Sequence, residues 1–319
     1  MDALIKLGRE LGSAHFAQGP GGNVSIKQNG RLHVKASGRR LRELDLAGAI
    51  SDVSLADVKK ALAGDKEADA AVFSSTPRPS LEAYFHALGG TVVAHTHALG
   101  AVLAGCAANL PALPSGTLVV DYVSPGRGLA ILVERALTDR KTATVLLKSH
   151  GLIVYADSVE DAIRETRAFD AACAAHFPQL ADVSTQVAAL PAYSKAGSGF
   201  FIEIAPRETS GKFLMPDAVV FASTFRVDDL SNPAAQAESA LQSWGRPVIL
   251  HSKKDGRRIL AGRTESELQQ ASEVALAHDA IEDVLLKAGG GRYLAEDEPA
   301  KILNLPSEKY RLQLTGEKG

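Results

Sequence analysis

Val92-Val93-Ala94-His95-Thr96-His97, followed well downstream by Leu146-Leu147-Lys148-Ser149-His150-Gly151-Leu152, is the stretch on which the reading of this chain turns. In an extended strand alternate side chains share a face, so His95 and His97 aim two nitrogens at one point while Thr96 faces away. His150 closes a second apolar run, Thr144-Val145-Leu146-Leu147, and precedes a glycine, where a strand leaves its sheet and side chains become accessible. Three protein ligands with one open position describe a catalytic zinc-type site, whereas structural sites close with four ligands and lean on cysteine. This chain has only Cys106 and Cys173. Taken alone, the His-x-His pair more often marks two hydrogen-bonded histidines near a surface.

Three further segments shift that balance. Gly21-Gly22-Asn23-Val24-Ser25, Lys35-Ala36-Ser37-Gly38 and Arg78-Pro79-Ser80-Leu81-Glu82 are short polar motifs at strand or helix edges, with the chemistry of a bound anion and an acid–base step. In this order (GGNVS, KASG, PSLE, HTH, SHGL) the motifs resemble the class II aldolase/adducin family, over about residues 1 to 180. That family contains zinc-dependent sugar-phosphate aldolases, sugar-phosphate epimerases, a dehydratase, decarboxylases and the non-enzymatic head domain of adducin, so the resemblance speaks to fold more than to reaction. It implies an α/β protein: a layered α/β/α domain with a mainly antiparallel central sheet, plus a smaller α/β C-terminal domain.

Bulk properties agree with a small-molecule enzyme. At 319 residues, 45% apolar and 23% charged, the chain is long enough for one large domain and a smaller one. A net charge of −2 without a dense Lys/Arg cluster provides no electrostatic footprint for nucleic acid or an anionic membrane. The N-terminus interleaves charged and apolar residues at helical spacing and reads as an amphipathic helix, not a signal peptide. No apolar run approaches the roughly 18 residues needed to cross a bilayer. Two distant cysteines make no disulfide framework, and a reducing cytoplasm is expected.

Along the chain, Asn29-Gly30 predicts a hairpin between strands at 23–27 and 31–35. Helices are expected over 55–63, 79–89, 98–106, 126–138 and 158–176, with Pro79 near the first turn of the second and Glu82 within it. Strands are expected at the HTH segment, near Thr117–Val120 and at SHGL. The resulting division is a metal-binding catalytic domain over 1–185, a Pro/Ser/Gly/Ala-rich linker over 186–212, and a small α/β domain over 213–319. In the last, Asp217–Phe221 reads as a strand, 233–243 as a helix, Val248–Leu250 and Ile259–Leu260 as a hairpin turned by Asp255-Gly256, 264–287 as a helix, and Lys301–Tyr310 as a docking tail. Gly289-Gly290-Gly291 reads as a helix stop, and no dinucleotide-binding glycine turn is present.

The resemblance implies roles residue by residue. His95, His97 and His150 would hold a divalent metal, zinc first, with manganese, iron or cobalt as alternatives. The metal would stabilise the enediolate formed as a carbon–carbon or carbon–hydrogen bond breaks. Glu82 aligns with the acid–base glutamate of the aldolases; its ordinary reading is a first-turn glutamate favoured by the helix dipole. Asn23, Ser37, Gly38 and Ser80 match positions that hold the substrate phosphate, with Lys35 and Arg78 adding charge-assisted bonds; read singly, these are turn and surface residues. Leu81 stands where the best-defined phosphate pockets carry a second serine, which keeps a sugar acid or unphosphorylated ligand open. Tyr122 aligns with a proton-donating tyrosine that reaches in from an adjacent subunit, or is a core tyrosine. His86, one turn after Glu82, reads as a residue orienting the site or as a structural histidine. The implied activity is an aldolase acting on a sugar phosphate or related ketose, in a homo-oligomer of the tetrameric kind. Epimerase, dehydratase or decarboxylase chemistry, or an adducin-like interaction module, are the alternatives. The C-terminal part resembles the segment that follows the aldolase domain in bifunctional aldolase–dehydrogenase proteins.

Overall fold

Asn29 and Gly30 both take left-handed backbone (φ 51° and 73°), the conformation a two-residue hairpin needs, and they join β1 (Asn23–Gln28) to β2 (Arg31–Lys35). This hairpin opens a computed structural model of the chain that describes residues 1–180, 192–208 and 210–316. The chain falls into two compact units, one of residues 1–180 with 284–292, the other of residues 181–283 with 293–319.

In the first unit β1 and β2 are joined by β3 (Ile50–Ser54), β4 (Val92–Thr96), β5 (Leu118–Val120), β6 (Ala143–Leu147) and β7 (Gly151–Ala156) in the sheet order β3-β2-β1-β4-β7-β6-β5. Every neighbouring pair is antiparallel except β5 and β6. The central strands β4 and β7 are buried along their whole length, β4 including His95 and Thr96, whereas edge strand β3 alternates. One face is covered by α1 (Asp2–Glu10), α5 (Leu99–Cys106) and α7 (Val159–Ala174), the other by α2 (Leu55–Ala63), α4 (Ala83–His86) and α6 (Arg127–Leu137). Tyr84, Phe85, Val93, Leu129, Val133, Ile153 and Tyr155 form the core of that second face.

Local chemistry sets the helix starts. The hydroxyls of Ser54 and Ser158 accept from the backbone N–H groups of Asp57 and Asp161 and cap α2 and α7. Gly64 in left-handed conformation ends α2, and Asp65 at once caps α3 (Lys66–Phe73), a helix the periodicity did not announce. The helix expected over 79–89 is shortened to four residues. Pro79 pairs instead with Ala36 in an isolated bridge, which leaves Glu82 at the N-cap.

The second unit is built on a five-stranded sheet, β10-β11-β12-β9-β8, from β8 (Ser194–Ala196), β9 (Gly199–Ile204), β10 (Thr224–Val227), β11 (Val248–Ser252) and β12 (Arg258–Gly262). Its helices are α8 (Pro216–Phe221), α9 (Pro233–Trp244), α10 (Glu265–Lys287, whose last four residues belong to the first unit), α11 (Glu298–Leu303) and α12 (Pro306–Gly316). Val248, Leu250, Ile259 and Ala261 face α9 and form a small core with Leu230, Ala237 and Leu241. Residues 217–221 are helical, not extended. Pro216 sits at the first helical position, where its missing N–H costs nothing, and so short an apolar run carries no period of its own. Of the stretch read as linker, 186–191 and 209 lie outside the described residues, while β8 and β9 are regular strands within it. The expected tail over 301–310 is instead the end of α11 and the first part of α12.

Candidate metal centre

β4 carries His95 on the face that also holds Val93, and Phe85 meets the His95 ring edge-on at 5.3 Å. His95 Nδ1–H donates to the Leu152 carbonyl on neighbouring β7 (3.0 Å), so the other nitrogen, Nε2, is left to bind a ligand. His97 lies just beyond the end of the same strand. A side chain at Gly151 would meet the Thr96 carbonyl at 2.4 Å and the His97 ring at 3.0 Å, so glycine is required for β7 to start this close. His150 occupies the tight turn between β6 and β7. Ser149 there takes φ 53°, its N–H donating to the Gly105 carbonyl at 3.2 Å.

These constraints bring one nitrogen from each of three buried imidazoles within 4.8 Å of the others. His95 Nε2 and His97 Nε2 are 3.2 Å apart, close to the roughly 3.4 Å edge of a tetrahedron drawn with zinc–nitrogen bonds of about 2.1 Å. Glu82, at the N-cap of α4, places Oε1 3.2 Å from His95 Nε2 and 3.3 Å from His150 Nε2, with its side chain only 13% exposed. Burial raises the Glu82 carboxyl, but the His95 charge and hydrogen bonds from His150 and His95 outweigh it and hold the group well below the usual carboxylate range. Burial lowers His150, against the opposing pull of Glu82. These directions pull against each other at one contact, since Glu82 favours positive charge on His150 while burial disfavours it there. Three imidazole nitrogens converging beside an ionised carboxylate form a donor set that fits a divalent cation.

The anion-binding candidates gather in part. Ser37 N–H donates to the Arg78 carbonyl (2.9 Å) and Ser80 N–H to the Lys35 carbonyl (3.4 Å), which binds the KASG and PSLE segments together around the Ala36–Pro79 bridge. Gly38 has φ 76° with open space where a side chain would stand, and the Ser80 hydroxyl accepts from Glu82 N–H at 3.3 Å. Asn23 lies directly across from His95 in the β1–β4 register, and its fully buried amide has no hydrogen-bond partner among the described residues. Lys35 is buried and donates to the carbonyls of Pro20 (2.8 Å) and Arg39 (2.7 Å), tying two loops together. Arg78 is half-buried with its guanidinium 5.8 Å from the Phe73 ring centre. Tyr122 is half-buried on the loop after β5, which the Lys148 N–H to Val120 carbonyl bond (3.0 Å) ties to the turn bearing His150.

Other supports had weak signals or none. His86 is fully buried, stacks on Phe85 and shares a 2.7 Å hydrogen bond with the Ser25 hydroxyl, which makes Ser25 of the GGNVS motif a structural partner of α4. Gln18 donates to the carbonyls of Ala14 (2.6 Å) and His97 (3.2 Å) from a loop with no distinguishing motif. A cleft of about 580 Å³ among residues such as Thr144, Tyr155, Arg164 and Phe169 shares no residue with the histidine cluster.

The N-terminal unit is thus a layered α/β domain built around a three-histidine site able to hold a divalent cation. Residues 2–177 match the class II aldolase and adducin N-terminal domain, and the chain belongs to that family. Similar solved structures include the N-terminal class II aldolase domain of a conserved protein from Thermoplasma acidophilum (25% identity, TM-score 0.45, covering 54% of this chain and 91% of that one). The L-fuculose-1-phosphate aldolase of Thermus thermophilus is 17% identical (TM-score 0.40, 57% and 95% covered). Sugar-phosphate aldolase from Thermotoga maritima is 14% identical (TM-score 0.41, 56% and 93% covered). No curated protein matches the chain.

Proposed function

We propose that the protein is a divalent-metal-dependent lyase of the class II aldolase type, which cleaves or forms a carbon–carbon bond in a sugar phosphate or related ketose. The observation that carries this reading is the placement of Glu82 Oε1 within 3.3 Å of both His95 and His150 nitrogens. A metal ligand set and a proton-transfer group thereby share one small space. A cation held by His95, His97 and His150, zinc first and manganese, iron or cobalt next, supplies Lewis acidity where negative charge develops on substrate oxygens. Glu82 takes and returns the proton, its ionised form being the one the site favours. Asn23, Ser37, Gly38 and Ser80 receive the anionic end of the substrate through amide, hydroxyl and backbone N–H donors, with Arg78 adding charge. Lys35 shapes this cradle by holding the Pro20 and Arg39 loops. Tyr122 serves as proton donor in a homotetramer, and the protein works in the cytoplasm. The second unit is the counterpart of the segment that follows the aldolase domain in longer aldolase–dehydrogenase proteins.

Leu81, apolar where a phosphate-binding serine is expected, favours testing unphosphorylated ketoses and sugar acids beside sugar phosphates. Epimerase, dehydratase and decarboxylase chemistry use the same site. The test is elemental analysis of the purified chain beside a His95→Ala/His97→Ala double variant, followed by an aldehyde-release screen across ketose phosphates. About one transition-metal ion per chain, lost in the double variant, together with aldehyde release supports the proposal. No metal in either protein after incubation with these ions leaves an adducin-like interaction module as the better account.

A further inference from the structure

His97, unlike His95, stands outside the sheet. His95 is paired on both sides, with Asn23 on β1 and Ile153 on β7, whereas the β4–β7 register ends at Thr96 opposite Leu152. The helix α5 begins at Leu99, so His97 and Ala98 form a two-residue connector between strand and helix. The far end of that connector is only as fixed as the first turn of α5. All eight residues of α5 are buried, and its N-cap, Ala98, has no side chain able to accept from the first N–H groups, which must be met from elsewhere in the fold.

Two places in the first unit meet them. On α7, Asp170 Oδ1 accepts from the N–H groups of Gly100 (2.7 Å) and Ala101 (3.3 Å), a carboxylate at the positive end of the helix. In the loop after α1, the His15 carbonyl accepts from Leu99 N–H (3.0 Å), and Gln18 donates to the carbonyl of His97 itself (3.2 Å) and to that of Ala14 (2.6 Å). The loop is wound tightly, since Phe16 and Ala17 both donate to the Ser13 carbonyl at 2.9 Å. Loop and helix are then joined to each other, with His15 Nε2–H donating to Asp170 Oδ2 at 2.5 Å. The approach of α5 to α7 depends on Gly100, where a Cβ would stand 2.4 Å from the Asp170 carbonyl and 2.8 Å from its carboxylate.

We propose that His15, Gln18 and Asp170 are positioning residues of the metal centre, a clamp that holds the His97 imidazole in place through the backbone on either side of Ala98. The inference rests on the reading of His95, His97 and His150 as metal ligands. A ligating side chain must be held to within about 0.5 Å of its place. The ladder does this for His95, and the clamp does it for His97. Without the clamp the first turn of α5 and the connector shift together, and the His97 nitrogen leaves its 3.2 Å spacing from that of His95.

The test is the zinc affinity of the full chain, measured by competition with a chromophoric chelator, beside circular dichroism and the Tm of the metal-free samples. Asp170→Ala and Gln18→Ala should each bind zinc more weakly than wild type by about tenfold or more. Asp170→Asn should stay within about threefold of wild type, because the amide oxygen caps the same two N–H groups. A residue that only stabilises the fold would lower the Tm of the metal-free chain and leave the zinc affinity of the folded protein unchanged. Undiminished affinity in either folded alanine variant overturns the clamp, and so does an Asp170→Asn chain that binds as weakly as Asp170→Ala. If Asp170→Ala does not fold, Gln18→Ala decides, since it leaves the cap on α5 intact. The two readings fail differently: a wild-type chain that takes up no zinc overturns the metal centre and the clamp with it, whereas a wild type that binds zinc no better than its variants overturns the clamp alone.

Discussion

Glu82 stands in contact with two imidazoles and at the start of a helix, and these two placements predict different consequences of its removal. A glutamate present only to cap α4 could become glutamine at a cost of a few tenths of a kcal/mol and nothing else. A proton-transfer group cannot. Glu82→Gln should lower turnover by a factor of about 10²–10⁴ while metal content stays at the wild-type level, because the three imidazoles remain. Measuring rate and bound metal on one preparation separates the roles, and near-normal turnover would remove Glu82 from the chemistry. His97→Ala should do the reverse, releasing the metal while circular dichroism shows the fold intact; an unchanged metal content would exclude His97 as a ligand. At this scale much of the site was legible in the sequence. A two-residue spacing on a strand determines that His95 and His97 share a face, and the apolar run before His150 locates it at a strand end. The Leu152 carbonyl that selects the His95 tautomer was not legible, because a backbone acceptor on a neighbouring strand leaves no mark in residue identity.

Elements hold those residues at the required distances, and two of them do so through single atoms. At Gly151 the first Cβ of β7 would fall 2.4 Å from the Thr96 carbonyl, a backbone atom that cannot swing aside. Gly151→Ala should therefore push β4 from the β6–β7 turn, lowering stability by about 1–3 kcal/mol and loosening the metal. Thermal unfolding with and without added zinc would register both effects, and a variant as stable and as tightly loaded as wild type would show that the contact relaxes freely. At the start of α5, which follows His97 almost directly, buried Asp170 accepts from the N–H groups of Gly100 (2.7 Å) and Ala101 (3.3 Å) and pairs with His15 (2.5 Å). Asp170→Ala strands those two donors and should cost about 1–2 kcal/mol in urea unfolding. A cap supplied from seventy residues away could not be read from the sequence around α5, where no Ser, Thr, Asp or Asn directly precedes the helix. The same limit explains 217–221 and 79–82. Short segments follow a proline or a bridge partner elsewhere in the chain more than any period of their own, whereas long α7 and the Asn-Gly hairpin appear where periodicity and turn chemistry place them.

At the scale of the whole molecule, the first unit is not a continuous run of sequence, since residues 284–292 belong with residues 1–180. The returning segment makes sheet-like contacts beside the histidine site. Gly291 bridges Ala107, Ala108 N–H donates to the Gly290 carbonyl (3.0 Å), and Arg292 N–H donates to the Cys106 carbonyl (2.6 Å). The Ser149 hydroxyl, one residue before His150, donates to the Arg292 carbonyl at 3.4 Å. Composition suggested a break near residue 186 and contained no hint of this return, because three glycines in a row signal a helix end without saying where the next residues dock. A chain ended after Leu180 should therefore keep its sheet but lose the cover over the end of α5 and the support of the His150 turn. Cysteine chemistry offers a direct measurement. Burial pushes the thiols of Cys106 and Cys173 up to about 12, so both should resist an aromatic disulfide reagent in the full chain at neutral pH. Removing residues 284–292 with the rest of the C-terminal half uncovers the backbone around Cys106 and leaves Cys173 inside α7. The shortened chain should show one rapidly reacting thiol, a lower Tm and weaker retention of metal. If it matches the full chain in all three, the return segment is a passive tether and the histidine site is complete within the first 180 residues.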